Sequence, residues 1–193
     1  MIQKKSFREK FFLTFLVSGL IMWIGGSIVR TGIAFDMYIP FSNMVLKTSY
    51  NDTIRLYAIQ LFSNSALYTG LGFTLFFIGY VSLGLLLSDR FKKHGWIFMA
   101  LMMFILATPY GLFELYLDIK LYFLLQFPGI NFSDPGIKDF FLIRYTTLSI
   151  WGAISYLMAV TGVLICIWRP LDKMKLALDE LADRTDKVSG ITE

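Results

Sequence analysis

Four stretches of the chain carry neither a charge nor a polar face at helical spacing. Residues 11–29 lie between Lys10 and Arg30, 56–88 between Arg55 and Asp89, 95–113 between His94 and Glu114, and 145–168 between Arg144 and Arg169. Leu, Ile, Phe, Met and Val dominate each of them. A helix needs about 20 such residues to cross the roughly 30 Å of bilayer hydrocarbon. A helix packed on the core of a water-soluble protein of this size keeps a polar face towards water instead. The pattern therefore predicts an all-α integral membrane protein, a four-transmembrane-helix bundle. Residues 121–133 are too short an uncharged run for a fifth crossing, and Pro128-Gly129 interrupts them.

The segments between these runs predict the rest of the organisation. A basic terminus (1–10) leads into the first span (11–29). An outer loop containing a helix (30–65) joins the second span (66–88). The short basic hairpin 89–94 leads to the third span (95–116). A second outer loop (117–144), the fourth span (145–168) and an amphipathic tail helix (169–193) complete the chain. Ser49 or Asn51 is placed to cap a helix that runs into the second span. Ser133-Asp134-Pro135 reads as another helix start, with Asp134 as N-cap and Pro135 in the first turn. From Pro135 a single unbroken helix of about 51 Å is expected to reach Trp168.

Charge sets the orientation. An even number of crossings puts both ends on one side. That side holds twelve of the 18 Lys and Arg residues, among them Lys4, Lys5, Arg8, Lys10, Arg90, Lys92 and Lys93. Basic loops face the cytoplasm, so the expected topology is N-in and C-in, in the cell (inner) membrane. In this setting the net charge of +4 reflects loop asymmetry and does not point to nucleic acid. Lys4 to Lys10 before an apolar run also looks like a secretory signal. The run is too long for one and no Ala-x-Ala site follows, so an uncleaved anchor is expected.

Composition narrows the chemistry. Apolar residues make up 56% of the chain and charged residues 17%, which excludes an ordinary soluble domain. A single Cys (Cys166) and a single His (His94) exclude a disulfide framework, a Cys-based zinc site and a multi-His metal cluster in one chain. No Gly-rich phosphate loop, Gly-x-Ser-x-Gly elbow or His-Glu-x-x-His helix occurs. No catalytic, cofactor-binding or metal residue is therefore assigned. Ionisable groups inside a membrane mark function by default, and the central part of every span lacks them. Arg30, Glu114, Asp118 and Arg144 sit at the outer ends of spans, with Asp36 close by, and form a candidate charge cluster. The reading preferred here is a pair that fixes the fold; a functional site is the sharper alternative.

Three sets of residues are candidate contact surfaces. Leu121, Tyr122, Phe123 and Phe127 form an apolar, aromatic strip outside the hydrocarbon, where it needs cover from protein or lipid headgroups. Ser149, Gly152, Ser155, Ala159 and Gly162 form a small-residue stripe of the kind that lets helices approach closely in lipid. Its uses are packing within the bundle or contact with another subunit. Leu171, Met174, Leu178 and Leu181 recur at heptad spacing in the tail. The partners implied are membrane lipids and other integral membrane subunits. The function expected is a non-catalytic subunit, or an assembly or stability factor, of a larger membrane complex. A small homo-oligomeric channel or transporter, and a membrane enzyme or lipid-handling protein with a site at the outer interface, are the alternatives.

Overall fold

The computed structural model describes residues 7–39, 42, 45–90, 94–126 and 135–169. Among them it contains helices and no strand. The long elements are α1 (Phe7–Met37), α2 (Asp52–Leu86) and α3 (Gly95–Leu125). A short helix, α4 (Pro135–Leu142), follows, then a π-helical turn at Ile143–Thr147, then α5 (Ser149–Trp168). Helices α1, α2, α3 and α5 are each long and apolar enough to cross a membrane. The chain is thus multi-pass by length and composition. Arg169 Nη2 donates to Glu9 Oε2 at 3.2 Å, which puts the start of α1 and the end of α5 at the same end of the bundle.

Each long helix buries one seam. In α1 it is Leu16, Leu20, Trp23, Ser27, Arg30, Ala34 and Met37, at alternating spacings of four and three. In α3, Ile97, Ala100, Phe104, Ala107, Gly111, Glu114, Asp118 and Leu121 are buried at threes and fours. In α5, Gly152, Ser155, Ala159, Gly162 and Cys166 do the same. This is the 3.5-residue period of left-handed helix packing. α1 packs chiefly on α2, and α3 on α5.

Small residues set both contacts. A Cβ added to Gly19 would strike the backbone of Phe76 and Gly72, and one on Gly72 would strike Trp23. A Cβ on Gly79 would lie 2.7 Å from the backbone nitrogen of Leu16. On α5, Gly152 makes room for Tyr110 and Gly162 for Phe104, while Ser155 Oγ donates to the Ala107 carbonyl at 2.9 Å. The small-residue stripe therefore lies inside the bundle, against α3. Ser149, its first member, is exposed in the first turn of α5.

The connections differ from expectation in three ways. α1 continues to Met37 and α2 starts at Asp52, so the first connection spans only residues 38–51. It is closed by the bridge between Tyr38 and Leu46. α3 runs on to Leu125, which places Leu121 in the interior at 1% exposure while Tyr122 and Phe123 stay exposed. The expected rod from Pro135 to Trp168 is interrupted by the π turn and a bend at Leu148, whose N–H donates to the Ile143 carbonyl at 3.1 Å. Arg144 lies in this turn and is buried. Asp134, Phe127, Leu171, Met174, Leu178, Leu181 and the rest of the tail lie outside the described residues.

Asn51 is the cap of α2: its Oδ1 accepts from the Ile54 N–H at 2.9 Å. Asn51→Ala is expected to cost about 1 kcal/mol. Hydrogen exchange should locate that loss as faster exchange in the first turn of α2, with the rest of the bundle unchanged.

Candidate functional site

Two hydrophobic clusters make up the core. One lies towards the ends of the chain and contains Leu16, Trp23, Phe76, Phe104, Ala159 and neighbours. The other lies at the opposite end and contains Met37, Tyr38, Phe62, Leu121, Ile137 and Phe141 among others. Between them sits a layer of four buried charges: Arg30 from α1, Glu114 and Asp118 from α3, and Arg144 from the π turn.

Asp118 is the hub. Arg30 grips it with two bonds, Nη1 to Oδ2 at 2.6 Å and Nη2 to Oδ1 at 2.5 Å. Arg144 Nη1 donates to Oδ1 at 2.9 Å. The second arm of Arg144 donates to Glu114 Oε1. Glu114 also accepts from Trp23 Nε1 at 2.9 Å and from Ser27 Oγ at 3.2 Å. Tyr156 completes the ring, with its hydroxyl 2.7 Å from Ser27 Oγ and 3.2 Å from Glu114 Oε2. Arg30 reaches Thr69 Oγ1 at 3.0 Å and lies 4.1 Å from the centre of the Phe62 ring. The four membrane-length helices α1, α2, α3 and α5 and the π turn thus contribute to one network.

The layer holds two positive and two negative groups and is formally neutral. Burial opposes the charge on Arg144, but Glu114 and Asp118 outweigh it and hold the guanidinium pKa above its ordinary value. Isolated charges at such a position would cost several kcal/mol each; good geometry and shared partners offset that. Four polar side chains (Trp23, Ser27, Thr69 and Tyr156) and the face of the Phe62 ring occupy much of what the charges have left.

Of the five residues of the candidate charge cluster, four meet here. Asp36 does not. It lies six residues beyond Arg30, about 240° further round the helix, and is exposed beside Lys47 (3.9 Å) and Tyr50 (3.1 Å). Sequence reading missed Trp23, Ser27, Thr69, Tyr156 and Phe62. A usable signal was present for the charges themselves, since Arg30, Glu114 and Asp118 fall in register with the apolar seams of their own helices.

A second ion pair lies at the opposite end. Arg169 takes a left-handed backbone conformation (φ 47°, ψ 58°), which costs a non-glycine residue about 1–3 kcal/mol. Its side chain is held by Glu9 and by the Trp96 ring, 4.8 Å away. This pair ties the first turn of α1 to the end of α5.

Beside the charge layer, α1 and α5 stand apart. The gap is a cavity of about 340 Å³, with Glu114, Arg144, Tyr110 and Tyr156 on its inner wall and Ile28, Phe35 and Ala153 at its rim. Among the described residues, no group of three or more His, Cys, Asp or Glu side chains could hold a metal ion.

Fold and site together define a multi-pass helical membrane protein with an internally neutralised charge layer. The chain matches no protein-family model, no curated protein and no solved structure.

Proposed function

We propose that the chain is a non-catalytic membrane subunit, or an assembly or stability factor, that presents a rigid bundle to other integral membrane proteins. The observation that carries this reading is the far end of α3. This helix is 31 residues long, about 46 Å at 1.5 Å per residue. About 20 residues suffice for the hydrocarbon, so the last third extends beyond it if the helix stands upright. There Tyr116, Ile119 and Phe123 are 59%, 49% and 62% exposed. With Lys120 and Leu124 they line a shallow groove of about 380 Å³. An apolar, aromatic face at that level favours a protein neighbour.

The charge layer supports the same reading. Its carboxylates and guanidinium groups are engaged with one another and with their neighbours, as parts that hold α1, α3 and the π turn in place. On this reading the end of the chain bearing Lys4 to Lys10 is cytoplasmic, and the α3 groove faces the opposite side.

The triple variant Tyr116→Ser/Ile119→Asn/Phe123→Ser tests the reading. In a native gel of mildly solubilised membranes, the wild-type chain should run in a larger assembly and the variant at monomer size. The melting temperature of the purified variant should stay unchanged. A wild-type chain that runs as a lone monomer and co-purifies with no protein would contradict it.

A further inference from the structure

We propose that the groove between the start of α1 and the end of α2 binds one anionic phospholipid, with its phosphate at Arg8 and an acyl chain against Phe11 and Leu85. The close crossing of the two helices reaches Gly79, which lies against Leu16; Gly84, the next glycine of α2, faces Leu101 of α3 instead. Beyond Gly79 a groove of about 500 Å³ follows the boundary between α1 and α2, within the range of roughly 300–1,000 Å³ typical of small-molecule sites. Arg8, Phe11 and Phe12 line it from α1, and Ser82, Leu85 and Leu86 from α2. In both sets the second and third residues follow the first by three and four positions, so each set shares one helix face.

Depth selects a phospholipid. Phe11 opens the uncharged run 11–29, and Ser82, Leu85 and Leu86 belong to the uncharged run 56–88. Arg8 stands three residues before Phe11, about 4.5 Å further out along the helix. The groove thus has a cation at the level of the headgroups and apolar walls within the hydrocarbon, where Phe11 and Leu85 are exposed. A guanidinium group matches a phosphate with two parallel N–H donors.

Charge selects an anionic head. Segments 1–10 and 89–94 carry seven Lys and Arg residues against two acidic ones. The tail 169–193 carries five against six, and the segments 30–55 and 114–144, at the opposite ends of the spans, carry six against six. The basic excess therefore lies at the end where the groove opens. Of the two acidic residues, Glu9 is buried and pairs with Arg169, so its charge is already matched beside Arg8. Basic clusters next to a spanning helix attract anionic lipids, and a zwitterionic head brings no net charge to them.

The test is equilibrium binding to the purified full-length chain in an uncharged detergent, with dioctanoyl phosphatidylglycerol as probe. Dioctanoyl phosphatidylcholine, with the same chains and esters on a zwitterionic head, runs in parallel. The anionic probe should bind saturably at one site, at least tenfold tighter than the zwitterionic one. Arg8→Gln should weaken binding about fivefold, the share of one basic residue at a membrane surface. Lys10→Gln removes the same charge at the same end but outside the groove, and should weaken binding less than twofold. Leu85→Trp fills the apolar part and should weaken it at least fivefold; Phe11→Ser, with the same expected loss, serves in its place should Leu85→Trp fail to fold. Absence of saturable binding, equal binding of phosphatidylcholine, equal losses in Arg8→Gln and Lys10→Gln (the mark of a diffuse field without a site), or insensitivity to a folded groove variant would each overturn the proposal.

Discussion

Asp118→Asn is expected to be the most damaging conservative substitution in the chain. Asp118 accepts from both Arg30 and Arg144, and the change removes the negative charge that both guanidinium groups share. It leaves a buried layer with one carboxylate against two cations. Breaking a buried ion pair by removing one partner costs about 3–5 kcal/mol, a large share of the stability of a domain this size. Reversible denaturant titration in detergent micelles should show that loss. The companion Arg30→Met should cost a similar amount, because Asp118 then loses its two-armed partner. The double variant Asp118→Asn/Arg30→Met should lose less than the sum of the two single variants, since neither charge is left unpaired. Strict additivity would mean that the two groups act independently, against the geometry.

The second large effect is expected at the crossing of α1 and α2, where a single methyl group should suffice. At Gly19 a Cβ meets backbone atoms of Phe76 and Gly72, and at Gly72 it meets the backbone of Trp23. Backbone cannot rotate away as a side chain can, so the two helices would have to separate. Overpacking of this kind costs about 1–3 kcal/mol. Gly19→Ala and Gly72→Ala should each lower the melting temperature of the purified chain by several degrees. Gly25 and Gly32 are on the same helix as Gly19 with nothing within 4 Å of an added Cβ. There the helix propensity of alanine should dominate, a gain of up to about 1 kcal/mol. The contrast between Gly19→Ala and Gly25→Ala separates close packing from generic flexibility, because both replace a glycine with alanine in α1.

How far the sequence carried the structure depended on whether a signal was local. The four spans were legible because a run of uncharged residues has one outcome in a bilayer, and the Asn51 cap because its chemistry acts over three residues. The inward face of the small-residue stripe was legible as packing but not as to its partner, since contact with α3 and contact with another subunit ask for the same residues. Arg30, Glu114, Asp118 and Arg144 were legible as a group by their depth. Their mutual geometry was not, because it depends on a π turn that no local pattern marks. Thr146 and Ser149 bond to carbonyls of that stretch, yet such residues also occur in regular helix. Trp23, Ser27 and Tyr156 look like ordinary span residues until α3 brings Glu114 to them. Glu9 and Arg169 are separated by nearly the whole chain, and only the closure of the bundle makes them a pair.

The central claim is that the four charges hold the bundle together and do nothing else. It is tested most directly by replacing the whole layer at once: Arg30→Met, Asp118→Leu, Arg144→Met and Glu114→Gln, the last keeping an acceptor for Trp23. Replacing a buried ion-pair network by well-packed hydrophobic residues is often neutral or stabilising, and here three of the four replacements are hydrophobic and the fourth is uncharged. The measurement is the size of the native assembly containing this chain, with the thermal melt of the purified variant as its companion. The account predicts a folded chain that melts close to wild type and still enters the wild-type assembly. A chain that melts like wild type but no longer enters the wild-type assembly would contradict the claim and assign those charges a working role.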